Sequence, residues 1–284
     1  MHSYRYPARD KGAAVIARRG LPTNPAGGSV DPTTQADVPV TRVTTARRTE
    51  KVSEKIARLI LLDIKQQGLA PGTMLPPETV MLERFDIGRG SLREALRILE
   101  VNGLVIIKTG PGGGPLVAAN DPRNFGQMAT LHLQAIGATY RELLDARVEY
   151  EALLARRAAE QPDNEAIAAI RSAMKRARDS KNEDVAYATA TSGFHSAVCD
   201  AGGNPVIALA AKSIQSIWSQ RVTSVLFSVE DRPKVHSEHQ GITQAIERHD
   251  ARRAERLMRE HMKHYQEYCE QQYPARMNDV VDWS

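Results

Sequence analysis

The sequence predicts a mainly α-helical protein in two parts, an N-terminal winged helix-turn-helix and a C-terminal all-helical bundle of six or seven helices. Three observations carry this. Residues 75–100, LPPETVMLERFDIGRGSLREALRILE, read as a short helix, a tight turn and a second helix whose arginines stand apart from its apolar side. The next run, GLVIIKTGPGGGPLVA, reads as strand, glycine-rich tip, strand, the pattern of a wing. From about residue 123 to 273 every long segment keeps helical spacing, and no strand signal stands out.

Residues 1–48 are rich in Pro, Gly and Thr, show no sustained apolar period, and carry eight basic against three acidic side chains. They read as a disordered basic arm, either a solvated tail or a nonspecific DNA contact. Val52, Ile56, Leu59 and Ile60 mark the first helix, which Gly68 should end, and PGT forms the next turn. In the short helix Val80, Leu82 and Phe85 are the expected core residues, and DIGRG is the expected sharp turn.

In the second helix of the pair, Leu92, Ala95, Leu96 and Leu99 recur at i, i+3, i+4 and i+7 and predict a buried stripe. Arg89, Arg93 and Arg97 form a separate cationic stripe, and Ser91 is placed to cap the helix or bond a phosphate. Guanidinium groups in a row suit the major groove, where Arg bonds guanine edges bidentately and neutralises phosphates. Alone, the same pattern also describes an ordinary surface helix pair. The GPGGG tip is not read as a phosphate cradle, because no Lys-Ser/Thr pair follows and no helix opens there.

AANDPRN is a turn-rich linker in which Asp121 and Pro122 should start a helix. In 139–160, Leu143, Leu144, Val148, Ala152 and Ala155 face a core. Breaks at 161–164, 180–184, 201–205 and 229–233 divide the rest, and Asn204 before Pro205 reads as a cap followed by a first-turn proline. A helix is expected over 206–228, with Trp218 and Arg221 on one face that lines a cavity or packs in the core. The expected organisation is therefore an arm over 1–48, the winged domain over 49–118, a linker over 119–122, the helical domain over 123–273 and a tail over 274–284.

At 284 residues and 42% hydrophobic content, the chain suffices for two buried cores. It has no run of about 18 apolar residues, so no membrane span is expected, and GAAVIA is too short for a signal peptide. Cys199 and Cys269 make no disulfide framework and fit a reducing cytoplasm. The net charge of +4 is unevenly spread: residues 49–118 hold nine basic and eight acidic groups, whereas the remainder beyond 118 is acidic on balance. That C-terminal part has no electrostatic reason to bind nucleic acid.

The order helix, PGxxLPPE, helix, turn, arginine helix, hairpin over about residues 49–118 resembles the GntR family of bacterial transcription regulators. The resemblance implies DNA contacts at Arg89, Ser91, Arg93, Lys108, Thr109 and Gly110. It departs from the family at Thr79, where an arginine usually follows the LPxE motif. The pieces RVEYE, GFH with AGGNP, SEHQGITQAI and REHMKHY are similar to the effector-sensing FCD domain of the FadR branch of that family.

That second resemblance implies a homodimer enclosing a small carboxylated or acyl metabolite. Arg147 stands where such domains keep an arginine for the effector carboxylate; a salt bridge to Glu151 one turn on is the alternative. His195, His239 and His261, on three separate helices, stand where metal-binding FCD domains place their ligands. The family's Asp, one turn before the first of them, is Thr191 here. The expectation is a weakened three-histidine site for a divalent cation such as Zn or Ni, completed by water or the effector carboxylate; otherwise these are core residues and no cofactor is needed. The implied function is a cytoplasmic, non-enzymatic, ligand-responsive repressor of a metabolic operon, bound as a dimer to a palindromic operator in double-stranded DNA. The alternatives are a metal-dependent enzyme, or an architectural DNA binder whose helical domain does not respond.

Overall fold

The computed structural model describes residues 51–161, 163–221 and 227–282; the basic arm expected over 1–48 lies outside them. Helix α1 (Val52–Gln66) buries Ile56, Ile60 and Ile64 one turn apart, and Gly68 ends the run in the left-handed region at φ +62. Helix α2 (Glu78–Phe85) and helix α3 (Arg89–Val101) pack on α1 around Leu92, Ala95, Leu96 and Leu99. Strands β1 (Val105–Lys108) and β2 (Gly114–Val117) pair antiparallel, from Val105 opposite Val117 to Lys108 opposite Gly114. Val105 and Val117 are buried in the core, Ile107 packs against it and Pro115 is buried opposite Ile107, while Lys108 and the tip beyond it are exposed.

Three local expectations need correction. In α2 it is Met81, 2% exposed, that fills the core, while Val80 is exposed. The turn between α2 and α3 is shorter than DIGRG: Asp86 takes φ 49 and Gly88 is the N-cap, so Arg89 and Gly90 are already helical. Ser91 is therefore the third residue of α3 and makes no capping bond.

Seven long helices follow: α4 (Pro122–Ala135), α5 (Tyr140–Glu160), α6 (Asn164–Asp179), α7 (Asp184–Ala201), α8 (Pro205–Arg221), α9 (Arg232–Glu247) and α10 (Ala251–Gln272). Their starts are written in the sequence. The Asp121 side chain accepts from the Arg123 amide, Thr139 and Glu142 form a reciprocal capping box on α5, and Asn204 Oδ1 accepts from the amides of Val206 and Ile207. Helix α5 is buried almost along its length and packs on α10, α7, α8 and α9, which makes it the axis of the bundle.

Helix α8 is described as far as Arg221; residues 222–226 of the helix expected to 228 lie outside the described residues, and Phe227 and Ser228 are not helical. The C-terminal segment is not a loose tail. It forms α11 (Pro274–Asn278), Met277 and Val281 are fully buried, and Val281 N–H donates to the Ala138 carbonyl. No helix among the described residues is long and apolar enough to cross a membrane.

Candidate functional site

The bundle encloses a cavity of about 570 Å³, lined by α7, α8 and α10 with single residues from α4 and α5. At its inner end three imidazoles converge. His195 comes from α7, His239 from α9 and His261 from α10, all buried. His239 Nε2 lies 3.1 Å from His261 Nε2, which lies 3.4 Å from His195 Nε2. Sequence positions 44 and 22 residues apart thus present the same ring nitrogen to one point.

The other ring nitrogens explain why. His195 Nδ1 is 2.5 Å from Glu151 Oε2 on α5, and His261 Nδ1 is 2.7 Å from Glu238 Oε2 on α9. A carboxylate at Nδ1 fixes the tautomer that leaves the Nε2 lone pair inward, the usual support of a metal-bound histidine. His239 is instead oriented by stacking on Phe194, ring centroids 3.8 Å apart. Burial, with the neighbouring imidazoles, pushes His239 well below its ordinary value, and burial lowers His261 against the opposing pull of Glu238. Both are therefore neutral at pH 7, the form that ligates metal.

Burial would raise the Glu151 carboxyl, but His195 and Arg147 hold it down at about 2. Arg147 is 4% exposed, and its Nε and Nη2 both reach Glu151 Oε1, at 2.9 and 2.8 Å. The salt bridge read as the alternative for Arg147 is present, and the residue also lines the cavity. Its guanidinium fork is occupied on one side, so a bidentate grip on a ligand needs rearrangement, while Nη1 has no hydrogen bond among the described residues.

The donor set fits a divalent cation. The two Nε2 separations match the edges of a shell with metal–nitrogen bonds of about 2.1 Å. Thr191, in place of a fourth ligand one turn before His195, also lines the cavity. Its buried hydroxyl makes no hydrogen bond among the described residues, the Tyr187 hydroxyl nearby falling short of bonding geometry. A metal-bound water is the kind of partner that hydroxyl lacks. Cys199 packs away from the cavity against Leu154, Ala208 and Ala211, and burial raises its thiol, as expected of a core residue. His264 sits beside the cavity against Glu238 and Phe227, Trp218 is buried with its Nε1–H donating to the Tyr265 hydroxyl, and the Arg221 side chain lies outside the described residues.

The second candidate surface is α3 with the ribbon. Arg89 and Arg93 are exposed; Arg89 has no ion pair among the described residues, and Arg93 is 3.7 Å from Glu78. Arg97 pairs with Glu100 at 2.6 Å, an exposed pair, so it is the member of the stripe with a close acidic neighbour. Lys108 ends β1 and is exposed with Thr109 and Gly110 at the tip, where Gly110 and Gly112 take φ +96 and +72 that other residues rarely adopt. Ser91, half-buried near the start of α3, sits between the two arginines in sequence.

Sequence reading missed Glu238 and saw in Glu151 only a partner for Arg147. Adjacency to His239 was a possible signal for the former. The latter shows only when α7 is packed on α5.

Known proteins agree with this architecture. Residues 52–113 match the family described as bacterial regulatory proteins, gntR family, and residues 142–264 match the FCD domain. The chain is 27% identical over 228 residues to the HTH-type transcriptional repressor NanR of Enterobacter sp. (strain 638), covering 75% of this chain and 83% of the relative. It is 26% identical over 219 residues to the repressor of the same description from Escherichia coli (strain K12), covering 75% and 82%. Among solved structures, a Streptococcus agalactiae GntR superposes with a TM-score of 0.59 at 20% identity, covering 76% of this chain and 99% of that one.

Proposed function

The chain belongs to the gntR family of bacterial regulatory proteins and carries an FCD domain, which makes it a ligand-responsive DNA-binding transcription regulator; we propose that it is a dimeric repressor released from its operator by a small carboxylate. The observation that carries this reading is the cavity, in which His195, His261 and Arg147 line one space, His239 converges on the same two imidazoles from behind, and no carboxylate residue is among the lining. A carboxylate entering it meets no opposing carboxylate in the lining, has Arg147 as a cationic partner, and would find a second positive charge in a cation held on the inward Nε2 lone pairs.

His195, His239 and His261 would hold a divalent cation, which when bound supplies a Lewis-acidic anchor for a carboxylate or water. Glu151 and Glu238 keep two of the imidazoles in the ligating tautomer. Arg147 offers Nη1 to the ligand while Glu151 holds the rest of its guanidinium in place. On the DNA side, Arg89 and Arg93 would enter the major groove, with Ser91, Lys108, Thr109 and Gly110 meeting the backbone or adjoining groove. Dimerisation is supported by an apolar stripe left exposed on α4, Phe125, Met128 and Leu131 at intervals of three. Both family matches and the relatives are regulators, which weighs against the metal-dependent enzyme.

The test is selection of bound genomic fragments with purified full-length protein, followed by release with candidate carboxylates. Tag-free protein is analysed for metal in parallel. Operator binding indifferent to every acid tried, in metal-loaded and metal-free protein alike, would leave only the architectural DNA binder.

A further inference from the structure

The cavity holds a second guanidinium, from an element that sequence reading assigned only a structural role. Arg123, on the first turn of α4, lines the same space as Arg147, His195 and His261. The two arginines stand in opposite conditions. Arg147 is buried, and to turn it would break its pair with Glu151, the carboxylate that also holds His195. Arg123 is exposed, and its Nε and Nη2 reach Asp121 Oδ2 at 2.6 and 2.5 Å on the solvent side. An exposed pair of this kind exchanges readily for another anion.

The residues flanking Arg123 tie that turn to both parts of the protein. The Pro122 carbonyl accepts from Ser213 Oγ on α8, the wall of the cavity. The Asn124 side-chain amide donates at 3.3 Å to the carbonyl of Gly103, just beyond the C-terminal end of α3. Gly103 takes φ +67, and a Cβ there would stand 2.0 Å from Asn124 Nδ2, so the two residues are in close contact. Three consecutive residues of one turn thus touch the cavity wall, the cavity mouth and the end of the DNA-reading helix.

We propose that Arg123 is a specificity-determining anion receptor at the mouth of the cavity, that the effector is a small dianion of the dicarboxylate type, and that its capture is passed to α3 through the first turn of α4. One carboxylate occupies the histidine end and the other takes Arg123 from Asp121. The shift of Arg123 moves the turn that carries Asn124, and with it the grip on Gly103. This rests on the reading of the cavity as the effector site.

The test titrates full-length, metal-loaded protein calorimetrically with straight-chain monocarboxylic and dicarboxylic acids of three to six carbons. At least one diacid should bind wild type roughly tenfold or more tighter than the monoacid of equal length, as a second charge-assisted contact implies. Arg123→Gln should abolish that preference while leaving the melting temperature unchanged, since Asp121 caps the helix through the backbone amide of residue 123. Arg123→Lys should restore part of it. Monoacids binding as well as diacids, or a preference that survives Arg123→Gln, would overturn the proposal and leave the cavity reading standing. No binding of either class would overturn both. Asn124→Ala should bind the preferred diacid as wild type does but lose its effect on affinity for a genomic fragment selected with the protein; a full effect would refute transmission through this turn.

Discussion

Single side chains divide here into those whose partners are water and those whose partners are buried, and the two respond differently to substitution. Arg89 and Arg93 are exposed, so Arg89→Ala and Arg93→Ala should leave stability unchanged within about 0.5 kcal/mol. Each should weaken specific DNA binding by roughly 1–3 kcal/mol if it contacts a base, measured by fluorescence anisotropy at fixed salt. Lys108→Ala should instead weaken binding to all sequences and flatten the dependence of log K on log salt by about one. The carboxylates behind the histidines differ from each other. Glu151 is buried with Arg147, so Glu151→Gln leaves an uncompensated buried guanidinium and should cost about 3–5 kcal/mol in urea unfolding. Glu238 is half-buried beside His261 and His264, and Glu238→Gln should spare the fold while lowering zinc affinity about 10–100-fold in a chelator competition. Unaltered zinc affinity would detach Glu238 from the site.

Elements meet at points that the substitution of one residue can report. Gly126 lies inside α4, where Gly→Ala ordinarily stabilises a helix by about 1 kcal/mol. Here the added Cβ would stand 2.6 Å from Ser216 Oγ and 3.0 Å from the Ser213 carbonyl on α8. The hydroxyl can rotate and the carbonyl cannot, so Gly126→Ala should instead destabilise, by roughly 1–3 kcal/mol, read from the urea midpoint. At the start of α5, Thr139 accepts from the Glu142 amide while Glu142 Oε2 accepts from the Thr139 amide at 2.8 Å. Thr139→Ala removes one half of that box and should cost about 1 kcal/mol. The helix starts at Asp121 and Asn204 were readable as motifs because such caps are local. The crossing at Gly126 was not, because nothing within α4 marks the turn that α8 will approach.

For the whole molecule the open side of α4 is decisive. Phe125, Met128 and Leu131 are 49%, 40% and 48% exposed, an apolar row that the single chain leaves to solvent. If this row is the subunit interface, Met128→Glu with Leu131→Glu should convert the protein from dimer to monomer at micromolar concentration in light scattering, and a palindromic site should lose most of its affinity. An unchanged dimer would move the interface elsewhere. Residues 119–284 alone should remain a folded helical dimer without affinity for DNA, as the acidic balance of that part requires.

The sequence by itself determined what is periodic or local: the buried stripe of α3, the ribbon with its glycine tip, the helix starts at Asp121 and Asn204, and the long helices of the bundle. Their signals lie within a few residues of one another, so no folding is needed to see them. The three histidines were named through family likeness, since their wide separation has no local signature. Tertiary structure alone decided that their Nε2 atoms share one point, that Glu151 and Glu238 stand behind them, and that Arg147 is already held by Glu151. It also decided that Arg97 pairs with Glu100, that the C-terminal segment is packed, and that Arg123 faces the same cavity. Each of these depends on which face one helix turns to another, and that is set by side chains from distant parts of the chain filling a common core.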